Sequence, residues 1–272
     1  MSPATGTRLT GLAAANLDPY ARNKMLAIIG GTGLTQLSNL AVTRRQVVRT
    51  PYGEPSGALA FGQIAGREVV FLARHGYGHT IPPHMVNYRA NIWALHSQDV
   101  DNVVSVASVG GIRADLGPGV IAVPDQVLDY TWGRRSTFHE GEDRAVVHVD
   151  FTRPYCDRLR ALVLVAAAAA GQAVINGGVY AATQGPRLET AAEIDRLERD
   201  GADMVGMTGM PEAALAREMG LCYAAIAVVA NHAAGRGESR TAIRMEDINA
   251  TLQTVLTQVR AVIERLVEAC GG

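Results

Sequence analysis

A chain of 272 residues with 48% hydrophobic and 19% charged residues and a formal net charge of −1 has a globular composition, which excludes fibrous and disordered classes. The near-zero charge argues against a nucleic-acid partner, and the longest apolar run, 161–170, is far short of the ~18 residues of a membrane span. Of the 25 basic residues only Lys24 is a lysine, so P-loop and Schiff-base chemistry have one candidate in a polar N-terminal stretch; an anion would be gripped by arginine, backbone N–H groups or hydroxyls.

Residues 1–24 are rich in Ser, Thr, Gly, Ala and Pro and read as a loosely held tail, with no basic start and apolar block of an export leader. Order begins at the strand-length run 25–29, and similar runs follow at 68–72, 102–107, 119–123, 174–182, 202–207 and 221–230. Such continuous apolar runs suit strands buried on both faces. Helical patterns alternate with them: 83–98, opening on proline, the alanine-rich 153–170, then 189–199 and 211–219. The last, from Met245, places Ile248, Leu252, Leu256, Val259, Ile263 and Leu266 on one stripe ending near Cys270. With no linker or repeat to divide it, residues 25–272 read as a single α/β domain with a central mixed β-sheet flanked by helices. Three scattered cysteines (Cys156, Cys222, Cys270) predict reduced thiols and a cytoplasmic protein.

Polar and glycine-rich segments cluster where the strands end. Gly30-Gly31-Thr32-Gly33 follows the first; it lacks the third glycine of a dinucleotide fingerprint, because Gln36 stands there, and the Gly-Lys of a P-loop. Taken alone it is equally a tight strand exit. Ala73-Arg74-His75-Gly76 can bind a phosphate oxygen pair bidentately. His75, His79 and His84 raise the alternative of a metal, but Gly76, Gly78 and Pro82-Pro83 deny the helix that would align them, so no metal is expected. Loops at 107–111 and 205–209 complete four strand ends, the place where open α/β sheets bind ligands. Together they suggest a small oxyanion site without lysine, metal or cofactor. Asn231 ends an apolar run, and its carboxamide can both donate and accept, as a purine N7/O6 edge requires; an asparagine turn is the bland alternative. Glu189 reads either as a base contact or as an ordinary helix-start glutamate.

Several of these motifs, in order over about residues 25–268, resemble the nucleoside phosphorylases. They are Gly30-Gly-Thr-Gly-Leu34, Arg74-His75-Gly76, His79-Thr-Ile-Pro-Pro83 with Asn87–Ala94, Gln184-Gly-Pro-Arg187 and Met207-Thr208-Gly-Met-Pro-Glu212. The nearest branch is the methylthioadenosine phosphorylases among the trimeric purine nucleoside phosphorylases. The resemblance implies a homotrimer in which phosphate, a co-substrate rather than a cofactor, attacks C1′ of a nucleoside and expels the purine. By position, Thr32, Arg74, His75 and Thr208 would bind phosphate, with the backbone of Ala107 and Ser108. Ala107 stands where the methylthioadenosine enzymes commonly carry a hydroxyl residue, a departure at one phosphate contact. Met207 would pack under the ribose, and His148 matches a histidine that reaches a neighbouring subunit's 5′ pocket.

Glu189 and Leu188, with Asn231, His232 and Ala233, fall in the base pocket of that family. Methylthioadenosine phosphorylases carry aspartates where this chain has Asn231 and Ala233, whereas the 6-oxopurine enzymes carry the asparagine and the glutamate. An ionised Glu189 can accept from N1–H of a 6-oxopurine, and N1 of adenine has no such proton. The final helix offers Met245, near Ile248, where hydroxyl-preferring enzymes place a histidine, and an apolar 5′ pocket disfavours an unpaired hydroxyl; Met245 as ordinary core is the alternative. The expected reaction is therefore phosphorolysis of S-methyl-5′-thioinosine to hypoxanthine and 5-methylthioribose 1-phosphate, with Asn231, Arg74 and His75 catalytic. Methylthioadenosine or general 6-oxopurine phosphorolysis, a nucleoside-binding protein without turnover, and a dinucleotide oxidoreductase are the competing readings.

Overall fold

The run at Met25 forms β1 (Met25–Gly30), followed by β2 (Ala41–Gln46), β3 (Leu59–Ile64), β4 (Arg67–Ala73), α1 (Tyr88–His96) and β5 (Val100–Gly111). Then come β6 (Ile121–Val123), β7 (Gln126–Asp129), α2 (Asp157–Ala169), β8 (Ile175–Asn176), β9 (Val179–Ala182) and α3 (Ala191–Arg199). The chain closes with β10 (Met204–Gly206), α4 (Gly209–Glu218), β11 (Cys222–His232) and α5 (Met245–Cys270). The computed structural model describes residues 25–34, 37–141 and 145–270; the tail 1–24 with Lys24, and Gln36, lie outside the described residues.

The strands form one mixed sheet in the order β2-β3-β4-β1-β5-β10-β9-β7, with β11 also on β5 and leading to β6 and β8. Alternate residues of the central strands feed two cores. Ala27, Ile29, Leu72 and Val103 pack with Ile92 of α1 and Ala213 and Leu215 of α4. Leu26, Ile28, Phe71 and Val104 pack with Leu159 of α2 and Leu252, Val259 and Ile263 of α5. Burial on both faces is why these strands read as unbroken apolar runs rather than alternating ones. The predicted single α/β domain with helices flanking a mixed sheet is the architecture found.

Several local expectations change. The helix predicted from Pro83 is a 3-10 turn, Pro83–Met85, and then α1, because Val86 is extended and the Asn87 side chain caps the helix by accepting from Ala90 N at 3.1 Å. The run 174–182 is two strands, split where Gly177 and Gly178 take φ of 100° and 123°; β8 pairs with β6, whereas β9 lies between β10 and β7. The supposed loop 107–111 is the second half of β5, and Asn231 lies inside β11 rather than beyond it. Cys156 and Cys222 are not free thiols. Cys156 precedes α2 and Cys222 opens β11, where their Cα atoms come within 5.2 Å and the side chains form a disulfide; sixty-six residues of separation gave no sign of it. Cys270 stays a free thiol. No described helix is long and apolar enough to cross a membrane.

One topological feature makes room for a ligand. Along one edge of β5, pairing with β1 ends at Ile29–Ser105, and pairing with β10 begins at Val205–Gly110. Between them, no described strand pairs that edge. The sheet changes partner there, which is where α/β sheets open toward ligands.

Candidate functional site

A cavity of about 540 Å³ opens at that change of partner. Thr32, Arg74, His75, Ala107, Ser108 and Thr208, the predicted phosphate ligands, all line it. So do Met207, Leu188, Glu189, Asn231, Ala233 and Met245. Fourteen sequence-separated positions were expected to act together, and only His232 and His148 fall outside the lining of this cavity. His232 packs beside it against Gly237, with its ring 2.6 Å from where a Cβ on that glycine would sit. His148 is exposed on the segment 145–150.

One part of the lining is built on a buried ion pair. Arg74 follows β4 and is fully buried; its Nε donates to Glu212 Oε2 at 2.7 Å and its Nη2 to Glu212 Oε1 at 2.9 Å. Nη2 also donates to Ser105 Oγ at 2.6 Å, and Nη1 to Val106 O at 3.1 Å. Burial alone would lower the Arg74 pKa, but the Glu212 charge and hydrogen bonds outweigh it, and the guanidinium is held protonated. The expectation that Arg74 grips phosphate bidentately is corrected: the fork is occupied by Glu212. A guanidinium has five N–H groups, so these four bonds leave one, on Nη1, unused, and Arg74 lines the cavity. Gly31 lets it approach, since a Cβ there would lie 2.9 Å from Nη1 and 2.6 Å from Val106 O.

His75, next in the chain, is buried, with Nδ1 2.8 Å from Ile81 O. A carbonyl only accepts, so Nδ1 carries the proton and Nε2 is an acceptor. Burial, assisted by the Arg74 charge, pushes the imidazole pKa from 6.5 down to about 4. Between those two values the unfolded chain binds a proton that the folded chain does not. The stabilising contribution of neutral His75 is therefore complete above pH 6.5 and is lost as pH falls toward 4. Thermal melting followed between pH 7 and 4.5 should show a midpoint that falls with acidification less steeply in His75→Gln than in the parent; parallel slopes would refute this. Thr208 stands at the head of α4 without capping it, and its backbone N–H donates to the buried Tyr180 hydroxyl at 3.3 Å.

Glu189, also in the lining, accepts from Thr183 Oγ1 at 2.6 Å; burial raises its pKa above its ordinary value while that bond opposes the rise. Asn231 is delivered by a bulge in β11, where the register to β5 shifts between Val229 and Asn231 so that Ala230 and Asn231 both line the cavity. Its Nδ2 donates to His232 O at 2.6 Å. Met245, the first residue of α5, is 54% exposed at the cavity mouth with Ile243 and the buried Ile248, so it is not core. Among the described residues no cluster of His, Cys, Asp or Glu could hold a metal.

Sequence reasoning gave no role to Thr183, Ile243 or Glu212. Glu212 reads as a first-turn acid of α4, and nothing local reveals that its partner lies 138 residues earlier. Thr183 sits six residues from Glu189 on the strand-to-helix turn, a proximity the sequence does display.

The model of the phosphorylase superfamily matches residues 25–268. A protein of Pseudomonas syringae named "Probable S-methyl-5'-thioinosine phosphorylase" is 53% identical over 89% of this chain and 98% of its own length. The "6-oxopurine nucleoside phosphorylase" of Pyrococcus furiosus is 45% identical over 77% of this chain and 80% of its own. Among solved structures, the methylthioadenosine phosphorylase of Schistosoma mansoni in complex with adenine superposes with a TM-score of 0.87 at 31% identity, covering 91% of this chain and 92% of that one.

Proposed function

This chain belongs to the phosphorylase superfamily, and from that premise we propose that it catalyses phosphorolysis of S-methyl-5′-thioinosine, releasing hypoxanthine and 5-methylthioribose 1-phosphate. The observation that carries this reading is a single cavity lined by three chemically distinct sets of side chains. Thr32, Arg74, His75 and Thr208 form one set, Glu189 and Asn231 a second, and apolar Ile243, Met245 and Ile248 a third.

In this reading, phosphate sits against the backbone of Ala107 and Ser108 and accepts a hydrogen bond from Arg74 Nη1–H, while a P–OH donates to His75 Nε2. Phosphate is the nucleophile, so no general base is required. As the glycosidic bond breaks, the phosphate charge stabilises the ribosyl cation, and Asn231, turned from His232 O toward N7, stabilises the departing purine anion. Glu189 accepts from N1–H of a 6-oxopurine. The carboxylate has no such partner on adenine, and an unpaired buried polar group costs about 1–3 kcal/mol. The apolar mouth favours a methylthio group over a hydroxyl.

Base release should be fastest with S-methyl-5′-thioinosine, compared with methylthioadenosine and inosine at equal concentration, and should require phosphate. Faster release from methylthioadenosine overturns the base-pocket reading. Release without phosphate indicates a hydrolase, and no release a binding protein. The reading includes a homotrimer. Val146, Val147 and Val149 are exposed beside His148, which suits a segment seated on a second copy. Sedimentation should give a trimer, and His148→Ala should weaken nucleoside binding without altering phosphate KM.

A further inference from the structure

Arg134 lies on the segment after β7, outside the cavity lining, and spans two loops that build it. Nη1 donates to Met207 O at 2.8 Å and Met210 O at 2.6 Å. Nη2 donates to Gln184 O at 2.8 Å and Thr183 O at 3.2 Å. Nε reaches the Gln184 side-chain oxygen at 3.2 Å, and Nη1 also lies 3.2 Å from the Tyr88 hydroxyl. All these partners are neutral oxygens. The 183–189 turn carries Thr183 and Glu189 of the base site; the 207–210 turn carries Met207 and Thr208 of the sugar and phosphate site.

We infer that Arg134 is a positioning residue for the phosphorolysis proposed above, on which the inference rests. Its guanidinium ties the base-binding turn to the sugar- and phosphate-binding turn and so sets the distance over which phosphate must attack C1′. Only a planar fork reaches carbonyls on both turns at once; an ammonium has three donors about one point and cannot. Each substrate alone keeps its own set of contacts, so loss of the tie leaves binding largely intact and impairs the reaction that needs both in register.

The test compares the parent with Arg134→Ala and Arg134→Lys. Misplacement by about 1 Å can cost ~100-fold, so Arg134→Ala should lose about that factor in kcat with both KM values within about threefold of the parent. Guanidinium ion added to Arg134→Ala should restore part of kcat in a saturable manner. Arg134→Lys, which keeps the charge, should melt with the parent and still be about tenfold slow, and it carries the test if the alanine variant fails to fold. Parent-like kcat in the lysine variant overturns the inference. So does a loss that only tracks the folded fraction with no guanidinium rescue. An inactive parent removes the phosphorolysis reading itself, whereas an active parent matched by its variants removes only the role of Arg134.

Discussion

Glu212→Ala is expected to lower the folding free energy by about 3–5 kcal/mol, because it leaves the Arg74 guanidinium buried without its counter-charge. Both side chains are essentially inaccessible, at 0% and 1% exposure, so solvent cannot take over the lost partner. The Tyr223 hydroxyl, which donates to Glu212 Oε1 at 2.8 Å, would lose its acceptor in the same step. For a chain of this size the loss corresponds to a melting point lower by about 10 °C. Phosphate KM should rise as well, since Arg74 lines the cavity and its guanidinium is oriented by Glu212. Replacing the pair together, Arg74→Met with Glu212→Leu, separates the two effects: stability should largely return, because a buried ion pair exchanged for apolar side chains is often neutral, while phosphate-dependent turnover stays lost. Urea denaturation of the parent and the two variants measures this, and a Glu212→Ala loss below about 1 kcal/mol would contradict a buried, solvent-excluded pair.

The same pair marks where the sequence stops being informative. Central strands, the α5 stripe and glycine-rich strand ends are written in local patterns: Ile28 and Ile29 face opposite cores, so no polar alternation interrupts their run. Motifs such as Arg74-His75-Gly76 also survive into the cavity almost intact. The edge strand β2 is the reverse case. Its Thr43, Arg44 and Arg45 are exposed, and it is held by pairing with β3 and by Arg44 lying 3.5 Å over the Phe61 ring, neither of which leaves a periodicity. The occupancy of the Arg74 fork, the Cys156–Cys222 bond and the reach of Arg134 all depend on tertiary approach between distant segments. A motif identifies a ligand's residue types; only the fold decides how many of their donors are still free.

Asn231→Asp is the substitution expected to move substrate choice furthest. In the proposed reaction the asparagine amide donates toward N7 while Glu189 accepts from N1–H. An aspartate at the same bulge in β11 carries no donor when ionised. It would face three acceptors: N7 and O6 of the 6-oxopurine and the His232 carbonyl that the amide now contacts at 2.6 Å. Unpaired and opposed polar groups of this kind cost about 1–3 kcal/mol, so kcat/KM for S-methyl-5′-thioinosine should fall about 100-fold. For methylthioadenosine the change runs the other way, because the carboxylate gains the exocyclic amine as a donor. A site that gains or loses a matched hydrogen bond can discriminate by about 10⁴, so the ratio of the two specificity constants should shift by ~10³. Glu189 still opposes adenine N1 in this variant, which is why reversal should be incomplete until Glu189→Ser is added and the second mismatch is removed. Competition assays with both nucleosides present read the ratio directly. A ratio within threefold of the parent, in a variant with parent-like melting, would mean that Asn231 does not select the base.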